Sequence, residues 1–368
     1  MRLISSAAIA TILALSATSA QAQRLANPGA VSTRITYTTA AAVATGRTGG
    51  AYTGVGSLFV STVSTATTGF GSICTGALLS SNVVLTAGHC LSDVNEEGVS
   101  DPVTSISFFL PSIREATGAT TFQAVSWQVS PTYTGDATEG GDFALFKLGT
   151  RATGVDTYSI YEGDPLAEYT RVGTGTIGGP QGTGTGGVTQ DYAQREGKNL
   201  YEFYGDLVTG WSENILLSDF DDGTATHDVF GRLLGADGSQ RGIVGESNSS
   251  PGDSGGPEFI DGKIVAVTSF GISGNAFTRQ SCGLLGSIDP YGAGGTTGSA
   301  AGAAGCTNSS VGEVSGDTWL RPYKSYITSY VAAAAVPEPA SWAMMIGGFG
   351  LVGGALRARR RTLRVRFA

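Results

Sequence analysis

Residues 251–257 read Pro251-Gly252-Asp253-Ser254-Gly255-Gly256-Pro257, and an upstream stretch reads Thr86-Ala87-Gly88-His89-Cys90. A hydroxyl at its free pKa is a poor nucleophile and needs a neighbouring imidazole to accept its proton. Glycines beside Ser254 let a substrate backbone approach and leave amide N–H groups pointing outward. The two stretches therefore predict a nucleophile, Ser254, and its base, His89. The alternatives are a turn serine in a Gly-rich chain and a histidine that only fills the core.

A buried carboxylate is the third group that such a site needs, because it fixes the imidazole tautomer and stabilises the imidazolium as it forms. Asp142 is the candidate, since it enters an otherwise apolar and strand-like run, Gly141 to Leu148. The alternative is an acid at a strand end that faces solvent, as the neighbouring Asp136 and Glu139 would.

The order His89, Asp142, Ser254 resembles the trypsin/chymotrypsin-like serine protease family. The family motifs read TAAHC, DIALLKL and GDSGGP, and this chain has TAGHC, DFALFKL and GDSGGP in the same order. The resemblance runs from about Gly49 to Ala334. It implies an all-β fold of two packed antiparallel β-barrels, with the active site between them and a helix at the end of the domain.

The resemblance also implies roles for residues around the triad. The main-chain N–H groups of Gly252 and Ser254 would form the oxyanion hole. Substrate-binding residues would be the pocket floor Asn248, the pocket-wall acid Asp317, and the substrate-pairing strand Ser269, Phe270 and Gly271. Because Asn248 carries no charge, specificity for a basic residue would depend on Asp317, and an uncharged polar or medium-sized apolar residue is the rival.

The chain has four cysteines. The resemblance implies a disulfide between Cys74 and Cys90, which would brace the base, and two free thiols are the alternative. Cys282 and Cys306 lie in a Gly/Ala/Ser-rich insertion, residues 273–316, whose freedom a bond between them would limit.

The amino-terminal end predicts export. Residues 1–22 have an early Arg, a short apolar run and a small-residue end, which is typical of a secretory signal peptide that signal peptidase removes. Residues 23–47 are a candidate propeptide, and residues 48–334 the protease domain. In the protease family a new amino terminus pairs with the acid before the nucleophile, here Asp253, although the usual Ile-Val-Gly-Gly start is missing.

The carboxyl-terminal segment, residues 335–368, resembles a PEP-CTERM sorting signal. It contains Pro337-Glu338-Pro339, then an apolar stretch from Trp342 to Leu356, then several arginines. In that family an exosortase of Gram-negative bacteria recognises and removes the segment. We expect a transmembrane helix here that anchors the chain transiently in the inner membrane, before it reaches the cell surface or extracellular matrix or is secreted. The alternative is an ordinary tail anchor.

No cofactor, metal or nucleic acid is expected. The formal net charge of −8 gives no basic footprint for nucleic acid. The second histidine, His227, follows an acidic run, Asp219 to Gly223, that could offer oxygen ligands to a structural Ca²⁺ ion. That run lacks a full Ca²⁺-loop pattern, so a solvated turn is the preferred interpretation. No Zn²⁺ ligand set is present in the sequence.

The composition favours short strands, because glycine makes up 56 of 368 residues, about twice its usual share. Strands are predicted at 54–60, 83–86, 241–245 and 263–269, and the Gly/Thr stretch 173–187 is assigned to strand and loop. A helix is predicted over 321–334, with Pro322 in its first turn and apolar residues at helical spacing.

The sequence thus predicts an exported serine endopeptidase acting on protein or peptide substrates. Two alternatives stay open: an inactive protease-like binding module and a structural component of the extracellular matrix.

Overall fold

The computed structural model describes residues 51–62, 71–92, 102–110, 121–175, 194–225, 227–235, 242–249, 252–271, 312–335 and 339–360. The predicted signal peptide, the candidate propeptide and both Cys282 and Cys306 lie outside these residues. Within them, every pair of neighbouring strands is antiparallel, and strands dominate.

Six strands form a closed barrel in the order β1-β2-β3-β6-β5-β4. Their bounds are β1 Val55–Thr62, β2 Gly71–Ser80, β3 Val83–Thr86, β4 Val103–Phe109, β5 Thr121–Val129 and β6 Ala144–Leu148. The barrel closes where β4 pairs with β1, through Val60 opposite Ile106. Side chains of alternate residues point inward, so Leu58, Val60 and Phe108 are buried in a shared apolar interior.

Seven strands form a second sheet in the order β8-β7-β11-β12-β13-β10-β9. Their bounds are β7 Glu168–Gly173, β8 Arg195–Leu200, β9 Phe203–Tyr204, β10 Ile215–Asp219, β11 Pro257–Ile260, β12 Lys263–Gly271 and β13 Val314–Trp319. The described architecture is therefore one closed barrel and one half-barrel, and it confirms the predicted trypsin-like fold class.

The two sheets share an apolar core. Leu85 and Leu145 from the barrel pack in one cluster with Val172 and Val267 from the second sheet. Burying such side chains contributes about 1.5–3 kcal/mol each. This shared core holds the ends of β3, β6 and β12 in fixed relation, and those ends carry the predicted site residues.

The carboxyl-terminal part of the domain is helical. A 3₁₀ turn, Arg321–Tyr323, leads into α2, Lys324–Ala335, and a shorter helix, α1, spans Val229–Leu234. Pro322 lies in the first turn of this segment, and Ile327 of α2 is buried in the shared core. The predicted helix over 321–334 is confirmed.

The tail forms a separate helix, α3, Pro339–Arg360. Among the described helices, none is both long enough and apolar enough to cross a membrane. The expected transmembrane helix is therefore not found in the described residues, because five glycines and three arginines lower the hydropathy of α3.

Most strand predictions are confirmed, since β3 and β12 cover the stretches 83–86 and 263–269, and β1 covers the stretch 54–60 except Gly54. The strand predicted at 241–245 is wrong. Residues 242–245 form no strand, and Glu246 makes only an isolated bridge with Lys198. The carboxylate of Glu246 accepts a hydrogen bond from the Ile243 N–H (2.8 Å), so a side chain satisfies the backbone there instead of a neighbouring strand.

Candidate active site

His89 and Asp142 make two contacts with each other. The ring Nδ1 of His89 lies 2.8 Å from Asp142 Oδ2, and the backbone N–H of His89 donates to Asp142 Oδ1 at 2.8 Å. His89 lies three residues after the end of β3, and Asp142 lies two residues before the start of β6, the strand that pairs with β3. This pairing brings together two residues that are 53 positions apart.

The Asp142 carboxylate is fully buried, whereas the His89 side chain is 15% exposed. Burial alone would raise the pKa of Asp142, but the charge of His89 and the hydrogen bonds from His89 and Ser269 lower it below the usual value. Asp142 is therefore ionised at neutral pH. An ionised partner places the ring proton on Nδ1 and leaves Nε2 able to accept one.

Ser269 contributes a contact that the sequence did not predict. Its hydroxyl donates to Asp142 Oδ2, the same oxygen that faces the His89 ring. Sequence reasoning assigned Ser269 to substrate binding through its main chain. The hydroxyl contact spans 127 residues, so no local pattern could have indicated it.

The turn that carries Ser254 is held by the first barrel. Thr75 on β2 donates its backbone N–H to Ser254 O (2.8 Å) and its hydroxyl to Gly252 O (2.7 Å). Gly252 has a φ of 95° and Gly255 a φ of 77°, which favour glycine. Among the described residues, neither the Gly252 N–H nor the Ser254 N–H has a hydrogen-bond partner.

The Ser254 turn packs directly on the histidine segment. A Cβ on Gly255 would lie 2.1 Å from Thr86 Oγ1 and 2.5 Å from Ala87 N. Cys90 Sγ lies 3.8 Å from Ser254 O. The structure thus brings together His89, Asp142 and the turn of Ser254. Ser254 itself is only 6% exposed.

The predicted disulfide between Cys74 and Cys90 is confirmed. It joins β2 to the residue after His89. A ring nitrogen of His89 and the two sulfur atoms lie within 4.8 Å of one another. Because both sulfurs are bonded to each other, this group offers no thiolates to a metal ion.

Asp253 lies in a cradle of glycines. Its Oδ1 accepts the N–H of Gly175 at 2.7 Å, and a Cβ on Gly173 would lie 1.9 Å from the same oxygen. Only glycine leaves room for the carboxylate here. The candidate amino-terminal partner of Asp253 lies outside the described residues.

Asn248, the predicted pocket floor, is buried. Its Oδ1 accepts hydrogen bonds from Ser315 Oγ and from the Ser249 N–H. Its Nδ2 has no hydrogen-bond partner among the described residues. The side chain therefore carries a buried, uncharged N–H donor.

Asp317, the predicted pocket-wall acid, is paired inside the second sheet. Its Oδ2 accepts from Arg171 Nη2 (2.6 Å) and from Tyr201 Oη (2.8 Å), and all three side chains are buried. The backbone N–H of Ser269 also donates to this carboxylate. The Asp317 carboxylate therefore forms a buried ion pair with Arg171.

Arg171 also pairs with a second buried acid. Its Nε donates to Glu258 Oε1 at 3.0 Å, and Thr268 Oγ1 donates to the same oxygen. Sequence reasoning missed this arginine, although a signal existed. Tyr169 and Arg171 are two residues apart in a strand and so share a face, which placed Arg171 on the buried side.

The predicted substrate-pairing residues lie at the end of β12. Phe270 and Gly271 pair with Gly316 and Ser315 of β13 on one edge. On the other edge, β11 pairs only as far as Val267, and the Gly256 carbonyl then accepts from the Thr268 N–H. Beyond Thr268, no described strand occupies that edge.

The second histidine lies apart from these contacts. His227 Nδ1 is 2.6 Å from Asp222 Oδ2, in the acidic run near the surface. That run is not a fully solvated turn, because Asp219 and Asp221 are buried.

Two family models match this chain. Residues 48–202 match the Trypsin family, and residues 335–361 match the PEP-CTERM protein-sorting motif. The chain contains a trypsin-family domain. The matched part of the trypsin-like domain includes His89 and Asp142, and the fold continues beyond it through β10 to β13, which carry the Ser254 turn between them.

Proposed function

We propose that this trypsin-like protein is an exported serine endopeptidase that hydrolyses peptide bonds through an acyl-enzyme. The observation that carries the proposal is the double contact of His89 with the buried, ionised Asp142, directly against the turn of Ser254. A solvent-facing acid or a space-filling histidine would not need that arrangement.

In the proposed reaction, Ser254 Oγ forms a bond to the substrate carbonyl carbon while its proton passes to His89 Nε2. The C–N bond then breaks, and His89 returns the proton to the leaving amine. A water molecule attacks the resulting ester with His89 again as base, and Ser254 recovers its proton. Asp142 orients the imidazole and stabilises its charged form throughout.

The oxyanion of the tetrahedral intermediate is stabilised by the N–H groups of Gly252 and Ser254. Their lack of partners among the described residues supports this role, because donors already engaged could not turn to the substrate. Losing one such donor typically lowers turnover by about 10²–10³-fold.

We propose an uncharged residue, polar or medium-sized and apolar, at the cleaved bond. Asn248 has no charge, and Arg171 already pairs with the carboxylate of Asp317. A panel of fluorogenic peptides tests this preference. We expect turnover of Ala, Leu or Phe substrates to exceed that of Arg and Lys substrates, and a tenfold gain for Arg or Lys would reverse the assignment.

Features near both ends of the chain support the proposed export. The sorting motif supports recognition by an exosortase-type enzyme, and the predicted signal peptide supports processing by signal peptidase. The trypsin-like domain would then act at the surface or in the surroundings of a Gram-negative cell.

A fluorophosphonate probe tests the central proposal, since it labels only an activated serine. We expect the full chain to be labelled, and Ser254→Ala and His89→Ala to lose labelling. Ser329→Ala, which changes an exposed serine on α2, is the matched control and keeps it. Labelling of Ser254→Ala, or no labelling of the wild type, would favour the binding-module or matrix alternatives.

A further inference from the structure

A group of acidic side chains is gathered at the end of β10, away from the triad contacts. Glu202, Asp219 and Asp221 each place one carboxylate oxygen within 4.8 Å of the others. We call these three residues the acidic cluster. Asp219 and Asp221 are 2% and 4% exposed. Acids are rarely buried this deeply unless they are paired or bind a metal.

A fourth acid, Glu246, contacts the cluster from the segment before Ser254. Its Oε1 accepts the backbone N–H of Asp221 at 2.7 Å. Burial raises the pKa of Glu246 to about 7, and burial together with the charge of Glu246 raises that of Asp221 to about 8. The leading neighbouring charges on both residues are carboxylates, so the group repels itself when ionised.

Asp219 is the best satisfied member of the acidic cluster. Its Oδ2 accepts the N–H of Val229 at 2.7 Å, and its carboxyl group also shares a hydrogen bond with Glu202. A hydrogen bond between two carboxyl groups needs a proton on one of them. A cation between the two would take the place of that proton.

Asp221 is the decisive member. Both of its carboxylate oxygens are inaccessible to solvent, and neither has a hydrogen-bond partner among the residues that the structure describes. The same side chain points toward Glu202 and Asp219, since one of its oxygens lies within 4.8 Å of a carboxylate oxygen of each. A buried acceptor with no donor is costly and rare in native proteins, so this orientation requires a partner.

We propose that Glu202, Asp219 and Asp221 bind a Ca²⁺ ion. All available ligands are carboxylate oxygens, which hard cations prefer, and no nitrogen or sulfur ligand belongs to the group. Ca²⁺–oxygen bonds are about 2.3–2.6 Å long, so two ligands on opposite sides of one ion are about 4.6–5.2 Å apart. The spread of the acidic cluster fits within that limit.

The ion would hold the segment that leads to the predicted pocket. Glu246 links the acidic cluster to residues 246–248, and Asn199 Nδ2 donates both to Asp219 O (2.8 Å) and to Ser247 O (3.0 Å). Asn248 follows directly. We therefore expect Ca²⁺ to stabilise the fold, whether or not the protein is a peptidase.

The test uses the full chain carrying Ser254→Ala, which prevents self-cleavage. After EGTA treatment, Ca²⁺ is titrated by calorimetry, and Tm is measured with CaCl₂ and with EGTA. We expect one bound ion and a rise in Tm of about 5–10 °C at a hundredfold excess over Kd.

Asp221→Asn, added to the same chain, should weaken Ca²⁺ binding at least tenfold and abolish the rise in Tm. In EGTA its Tm should equal or exceed that of the parent, because the amide removes a buried acid whose ionised form the neighbouring carboxylates repel. Glu162→Gln makes the same chemical change at an exposed acid and should keep the full response.

Three results would overturn the proposal. They are the absence of heat and of a Tm shift in the parent chain at millimolar Ca²⁺, an unchanged Ca²⁺ response in Asp221→Asn, and an equal response to Mg²⁺. If Asp221→Asn does not fold, Glu202→Gln is compared in its place by the same calorimetry and Tm measurements, and an unchanged Ca²⁺ response in that variant would overturn the proposal.

Discussion

Gly255 combines a backbone requirement with a packing requirement. Its φ of 77° lies in the left-handed region, and a Cβ there would be 2.5 Å from Ala87 N and 2.6 Å from Thr75 O. Both atoms belong to the first-barrel segments that hold the Ser254 turn and His89. A side chain at Gly255 would therefore separate the Ser254 turn from the segment of His89.

Gly255→Ala should lower kcat/KM more than 100-fold and reduce the unfolding free energy by more than backbone strain alone. Gly262→Ala is the matched control, because Gly262 has a similar φ of 71° with open space around it. Gly262→Ala should reduce the unfolding free energy by about 1–2 kcal/mol and leave activity unchanged. Steady-state kinetics and urea unfolding measure both, and equal kinetic effects would contradict the packing argument.

At the residue scale, the sequence predicted which residues form the candidate site better than it predicted their distant contacts. His89 and Asp142 followed from short motifs and the disulfide between Cys74 and Cys90 from the family resemblance, and the structure places each pair in contact. The contacts of Thr75 with the Ser254 turn and of Asp317 with Arg171 join residues more than 100 positions apart. No local spacing encodes such partners, because folding alone decides which strands become neighbours.

At the scale of the elements, α2 packs against the apolar core that the two sheets share. Ile327 is its buried residue, and it packs in the shared core with Phe143, which also contacts Tyr323 and Tyr326 through their rings. Phe143 follows Asp142 directly. The helix therefore supports the segment that carries Asp142.

Ile327→Ala should reduce the unfolding free energy by about 2–5 kcal/mol, since it removes buried methylenes and leaves a cavity. Thr328→Ala, at the next and exposed position, should change it by less than about 0.5 kcal/mol. Urea unfolding of both variants in the Ser254→Ala chain measures the difference. Equal values would show that α2 does not contribute through this core.

The elements also show where sequence patterns succeed. β3 and α2 were predicted because each has a clear apolar pattern over its whole length. The strand expected at 241–245 failed because the exposed Val244 belongs to a segment shaped by the Glu246 carboxylate. A side chain that satisfies backbone N–H groups removes the need for a neighbouring strand, and apolar residues alone do not reveal this.

At the scale of the whole molecule, the buried Arg171 pairs with two buried acids, Glu258 and Asp317. Burial and the charge of Asp317 raise the pKa of Glu258 well above its usual value. Above about pH 4.5 the unfolded chain loses this proton while the folded chain keeps it. Folding stability must therefore fall as the pH rises from there toward the folded-state pKa.

Glu258→Gln should flatten this decline by up to about 1.4 kcal/mol per pH unit, because the amide matches the protonated acid and does not titrate. Its Oε1 can still accept from Arg171 and Thr268. Asp164→Asn, at an exposed acid, should keep the wild-type slope. Unfolding free energies between pH 5 and pH 8 test this, and identical slopes for Glu258→Gln and wild type would refute it.

The two hydrogen bonds from Thr75 to the carbonyl groups of Gly252 and Ser254 have a consequence during biosynthesis. Roughly half of the chain separates the two partners, so a ribosome that has released only the first barrel has produced an incomplete and chemically harmless intermediate. Reactivity would arise only when the last third of the polypeptide docks. If the proposed function holds, the order of the chain alone protects the cell that makes this protein from early peptide cleavage.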